Sequence, residues 1–261
     1  MSTVDRALVL LDFFSESLPE SGLSELARLA GYDKATTRRF LISLGNHGYV
    51  EQDPETKKYR LGAALLRLAH VRETTFPMTD LVLPLLNGLR DETSETAHFS
   101  LVTGNSMATM MIAESPRANR VSLETGERLP LHCTASGIAW LAFAPEKSVQ
   151  RLLAKPLKAQ TTHSETNPTR LIELIDAARQ SGIAVADQSY EDEVHGIAAP
   201  VFDHNAKASG AIAVATPVSR ITQETSRQIK GAVYKAALDI TKALGGRPNQ
   251  IFVASQKAGM Q

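Results

Sequence analysis

The side chains best suited to chemistry fall into two groups: histidines, one cysteine and an acidic run in the second half, and arginines and lysines near the start. His98, His132, His195 and His204 belong to the first group, but no two of them have strong metal-ligand spacing. Adjacent His132 and Cys133 point to opposite sides of any extended segment, which argues against a nucleophile and base pair. Asp187, Glu191, Asp192 and Glu193 lack the glycine and the regular oxygen spacing of a calcium loop, so they read as a solvated loop. A hydrogen-bonded structural role ranks first for each histidine, ligand contact by His98 or His132 second, and metal third. No catalytic residue, cofactor or metal site is assigned.

The second group differs. Net charge is zero, with 28 basic and 28 acidic residues, so affinity for a polyanion must come from local clustering. Between residues 34 and 72 the chain carries Lys34, Arg38, Arg39, Lys57, Lys58, Arg60, Arg67 and Arg72 against Glu51, Asp53 and Glu55. Forked guanidinium groups suit phosphates and guanine edges, provided that one element holds them on a single face.

The flanking pattern supplies that element. Val4, Leu8, Leu11 and Phe14 predict a helix over 4–15. Ser24 is a candidate N-cap for a second short helix ending at Gly31, and Asp33 for a third running to about Leu44. Two short helices joined by so tight a turn form a helix-turn-helix candidate. On the third, Phe40, Leu41 and Leu44 make an apolar stripe flanked by Thr36 and Thr37, while Ala35, Arg38 and Arg39 project from the other side. Two short strands over 48–52 and 57–61, around the turn Asp53-Pro54-Glu55-Thr56, read as a basic wing in which Lys57, Lys58 and Arg60 meet phosphate.

A linker helix follows over 62–74. Beyond it, helices near 79–90, 136–143, 168–180 and 222–244 alternate with strands near 96–103, 107–113, 183–186, 197–202 and 211–215, describing an α+β domain. The domains are placed at 1–62 for DNA binding and 63–247 for the linker helix and a ligand-binding domain, with 248–261 as a frayed tail. The run Thr134-Ala135-Ser136-Gly137 allows close approach to the amides at a helix start, so Ser136 reads either as a cavity wall or as an N-cap. At 261 residues and 43% hydrophobic, the chain is long enough for two domains. Asp5, Arg6 and Asp12 interrupt the only apolar start, and the single cysteine fits a reducing compartment, so a cytoplasmic protein without membrane spans is expected.

These residues together resemble the IclR family of bacterial regulators over nearly the whole chain. The resemblance is carried by Val4-Asp5-Arg6-Ala7-Leu8, Leu23-Ser24-Glu25-Leu26-Ala27, Lys34 through Leu41, Tyr59-Arg60-Leu61-Gly62, Glu95-Thr96, Gly126 through Gly137 and Ile197 through Asp203. It implies a winged helix-turn-helix, a linker helix that helps to dimerise, and a GAF-like domain that binds a small-molecule effector. Homodimers or homotetramers on double-stranded operator DNA are expected, with an organic acid or aromatic catabolite as effector. The resemblance places effector contacts at Ala135, Ser136, Asp187, Tyr190, Gly196, Ala213 and Ala215, to which the residue reading adds His98 and Thr134. Some relatives carry a cysteine near the position of Gly196 and serines near those of Ala213 and Ala215. Their absence favours a larger or more apolar ligand than a two- or three-carbon oxo acid. Two rival readings are an enzyme that uses the N-terminal domain for assembly and a metal or redox sensor built on Cys133.

Overall fold

The computed structural model describes residues 2–14, 18–75 and 77–259, which divide into two compact units, Met1–Pro77 and Met78–Gln261. In the first, α1 (Thr3–Leu8) opens with a capping box between Ser2 and Asp5 and passes into a 3₁₀ turn, Val9–Phe13. The expected continuous helix over 4–15 is therefore corrected, and Ser15 lies outside the described residues. The tighter 3₁₀ pitch rotates the apolar face. Leu10 and Phe14 are buried, whereas Val4 and Leu8 stay exposed.

Two helices, α2 (Leu23–Ala30) and α3 (Lys34–Asn46), flank a turn in which Gly31 is left-handed. Gly22, not Ser24, occupies the N-cap of α2, while the Asp33 carboxylate accepts the Thr36 amide at 2.8 Å and caps α3 as expected. A short strand that the sequence did not advertise, β1 (Glu20–Ser21), pairs with β3 (Tyr59–Leu61), which pairs in turn with β2 (Val50–Gln52). Leu26, Phe40, Leu41, Leu44, Val50 and Tyr59 close the core of this unit, and α4 (Ala64–Thr75) follows.

The second unit is built on a six-stranded antiparallel sheet. Its strands are β4 (Thr96–Thr103), β5 (Ser106–Ala113), β6 (Arg128–Pro130), β7 (Ala184–Asp187), β8 (Val194–Phe202) and β9 (Ala208–Pro217), in the order β6-β5-β4-β9-β8-β7. Helices α5 (Met78–Thr93) and α9 (Gln223–Ala243) pack together on one side. On the other lies α6 (Ala135–Phe143), pinned to β9 by the Trp140 indole, which donates to the Ala208 carbonyl at 2.8 Å. The short helix α7 (Glu146–Leu153) follows it, and α8 (Pro168–Ser181) packs beside α6 and β7. Side chains alternate between the two faces, so each residue's register decides whether it sees α6 or the α5–α9 layer.

Residues 250–259 form a helix where a frayed tail was expected. Helix α10 (Gln250–Gly259) docks on α8, because Phe252 is fully buried, stacks on Tyr234 with centroids 4.5 Å apart, and meets the edges of Phe143 and Phe202. One aromatic anchor offsets the polar composition on which the sequence expectation rested.

Candidate functional site

The DNA-facing candidates come from α3 and the β2–β3 hairpin. Burial of Thr37, Phe40, Leu41 and Leu44 turns Lys34, Ala35, Arg38 and Arg39 to solvent, with Ile42 and Ser43 extending the same face, while Thr36 is half-buried. Arg38 makes no hydrogen bond or ion pair among the described residues, and the Arg39 guanidinium lies 5.8 Å from the Phe40 ring centroid. In the hairpin, Asp53 accepts the amides of Glu55 and Thr56 at 2.9 and 2.7 Å, which folds the turn and leaves Lys57 left-handed. The wing cations are already engaged: Lys57 donates to the Pro54 carbonyl, Lys58 pairs with Glu20 at 2.6 Å, and Arg60 reaches Glu51 at 3.4 Å. Exposed pairs of this kind contribute little and exchange readily for a phosphate. Glu20 lies on the unforeseen strand β1, so the sequence reading missed it.

In the second unit a cavity of about 60 Å³ lies between the first turn of α6 and the sheet. His98 on β4, Ala213 and Ala215 on β9, Gly196 on β8 and Ala186 on β7 form its floor, because the register places them all on the α6 side. Thr134, Ala135 and Ser136 form the roof, and Tyr190 and Glu191 stand at the mouth. Close packing sets the height. A Cβ added at Gly196 would lie 3.1 Å from the Ala135 Cβ, and one at Gly137 only 2.4 Å from the Leu131 backbone.

The N-cap of α6 is Thr134, whose hydroxyl accepts the Gly137 amide at 3.1 Å and donates to the Pro130 carbonyl at 2.7 Å. Ser136 is therefore free of capping, and its Oγ lies 3.2 Å from His98 Nε2. Burial pushes the His98 pKa down to about 4, so the ring is neutral near pH 7. Its Nδ1 is buried and has no hydrogen-bond partner among the described residues. Cys133 also lines the cavity, but burial pushes its thiol up to about 12 and keeps it protonated.

All the expected effector residues except Asp187 line this cavity. Asp187 sits opposite His195 in the β7–β8 register and bonds its Nδ1 at 2.9 Å, on the sheet face away from Ala186 and Gly196. Period-two alternation, invisible until the strand's register is known, keeps its side chain off this cavity's wall. His132 bonds the Lys158 carbonyl at 3.0 Å, a structural role. Val121, Leu123, Leu129, Ser189, Glu191 and Val194 complete the lining and were missed. Most of them lie in irregular segments without periodicity, whereas Ala186 follows from Gly196 once strands are paired. Among the described residues, no three His, Cys, Asp or Glu side chains converge to hold a metal.

A helix-turn-helix with a basic outer face, followed by a GAF-like sheet domain, defines a DNA-binding transcriptional regulator rather than an enzyme. The chain belongs to the IclR family: residues 3–54 match the IclR helix-turn-helix domain and residues 74–242 the bacterial transcriptional regulator IclR C-terminal domain. It is 39% identical to a crystal structure described as an IclR transcriptional regulator from Silicibacter sp. TM1040, with a TM-score of 0.81 and coverage of 97% of this chain and 99% of that one. The transcriptional repressor IclR of Escherichia coli K12 is 29% identical over 249 residues, covering 94% of this chain and 91% of the repressor. The Pca regulon regulatory protein of Pseudomonas putida is 28% identical over 251 residues, covering 94% of this chain and 85% of the relative. Among the described residues, no helix is long and apolar enough to cross a membrane.

Proposed function

We propose that this regulator binds a double-stranded operator as a homodimer or homotetramer and that a small metabolite in the α6 cavity controls that binding. The observation that carries the reading is the cavity itself: a pocket with an apolar floor, roofed by the first turn of α6, into which neutral His98 and uncapped Ser136 bring polar groups. The first amides of a helix lack intrahelical acceptors and favour an anionic group. An organic acid, or an aromatic catabolite bearing a carboxylate, fits that chemistry. The alanines at 213 and 215 leave this part of the floor apolar, which supports the larger or more apolar ligand expected from the sequence on its second count.

Lys34, Ala35, Thr36, Arg38 and Arg39 are assigned to the groove, with Lys57, Lys58 and Arg60 to the backbone. The functional division follows 1–62 for DNA binding and 63–247 for linker and effector binding, with α4 as the linker. Leu66, Leu68 and Val71 are 76%, 40% and 50% exposed on α4, an apolar display that a partner subunit would cover. Coupling follows if the effector prefers one of two conformations that differ in operator affinity. The test is effector-dependent release or recruitment on operator DNA. Ser136→Phe should fill the cavity and abolish the response while operator binding persists, and a Phe variant that still responds would remove the cavity from the mechanism.

A further inference from the structure

Among the described residues, no lysine or arginine lines the wall of the cavity. With His98 neutral and the Cys133 thiol and Tyr190 phenol protonated, Glu191 is, among the described residues, the one carboxyl group that lines it. Behind Tyr190 stands a second carboxylate, Glu127, which accepts the phenol hydrogen at 2.9 Å. Neither Glu127 nor Glu191 has a cationic partner among the described residues. Arg120 shares the outer groove with Glu191 but pairs with Glu114 at 3.1 Å. Burial and the neighbouring Glu127 raise the pKa of Glu191, as expected for two carboxylates held close without a counter-ion.

The opposite pole is positive. The nine-residue helix α6 brings Ala135 and Ser136, first-turn residues whose amides lack intrahelical acceptors, to the cavity wall, and His98, buried and unpartnered at Nδ1 among the described residues, lines the same cavity. A simple monocarboxylate satisfies the amides but leaves Glu191 facing a second negative charge across a narrow space. A ligand carrying both signs satisfies both ends.

We propose that the effector is a small amino carboxylate, its carboxylate at the first turn of α6 and its protonated amine against Glu191, with Glu127 reinforcing the negative mouth. This rests on the α6 cavity being the effector site. It narrows the organic acid of that reading to one with a basic nitrogen.

The test uses the full chain and two matched probe pairs, β-alanine against propionate and γ-aminobutyrate against butyrate, measured by calorimetric titration and melting shift near neutral pH. Each amine should bind roughly tenfold or more tighter than its matched acid, the worth of one hydrogen bond between charged groups. Glu191→Gln should collapse that ratio, and Glu191→Lys should invert it. Ser136→Phe, with Ala215→Val as the milder alternative, should abolish binding of both members. Acids that equal or outbind the amines, with binding lost in the blocked variants, would overturn the amine assignment and leave the cavity standing. Amine binding that survives both blocked variants would instead overturn the cavity reading. If neither series binds the wild type, the proposal fails.

Discussion

His98 Nε2 and Ser136 Oγ lie 3.2 Å apart, joining the central strand β4 to the second residue of α6 across the floor and roof of the cavity. This bond ties a buried ring to α6 and leaves two tautomers open to it. Whichever partner donates, Nδ1 takes the complementary role and has no hydrogen-bond partner among the described residues.

The burial of His98 has a consequence for stability. Its folded pKa is about 4 against 6.5 for the free side chain, so between those values the unfolded chain binds a proton that the folded chain refuses. Stability from this residue is intact above pH 6.5 and declines as pH falls toward 4, by about 3 kcal/mol in total. Urea unfolding at a series of pH values should show this slope in the wild type and its loss in His98→Gln. Equal slopes in both would mean that the ring accepts a proton in the fold.

On α3, Arg38→Ala with Arg39→Ala should weaken operator binding strongly while leaving the melting temperature almost unchanged, because both side chains are exposed. A gel-shift titration checks this, and unchanged affinity would move the reading face elsewhere. Lys57→Ala should lower affinity for all sequences alike and reduce the salt slope by about one.

A buried ion pair supplies a third prediction. Glu95 is 3% exposed and takes two hydrogen bonds from Arg220, at 2.7 and 2.5 Å, plus one from Arg117 at 3.3 Å. Arg220 also donates to the Asn119 carbonyl and so ties the irregular segment before β6 to the start of β4. Arg220→Met should leave the buried carboxylate with Arg117 as its remaining cation and cost about 3 kcal/mol. Adding Glu95→Gln should recover much of that loss in thermal melts. An additive double variant would show the pair to be uncoupled.

For α4, Leu66→Glu with Val71→Glu should shift the protein toward smaller species in sedimentation, with little effect on the melting of either unit, since both side chains are exposed. Operator affinity should fall with the oligomer. Unaltered sedimentation would place the subunit contact on another element.

Much of the architecture was legible because it is written in relations between near neighbours. Asp33 caps α3, Asn167 accepts the amides of Thr169 and Arg170 ahead of α8, and Asp203 accepts those of Asn205 and Lys207 in the β8–β9 turn, all within four residues. The apolar stripe of α3 likewise follows from helical spacing, which left its arginines no direction but outward.

What the sequence could not settle depended on partners far along the chain. Strand β1 exists because β3, some forty residues later, offers it hydrogen bonds, and α10 holds because Phe252 finds Tyr234, Phe143 and Phe202. Ser136 reads as a cap from the sequence, yet the fold gives that place to Thr134, which also meets the Pro130 carbonyl, and turns Ser136 to His98. Asp187 and Ala186 are adjacent, yet the register of β7 on β8 turned one to His195 and the other to the cavity. Local patterning determines which elements form, because it acts through bonds between close neighbours. Register and docking decide which residues meet, because their free energy comes from surfaces that exist only once the distant elements have packed.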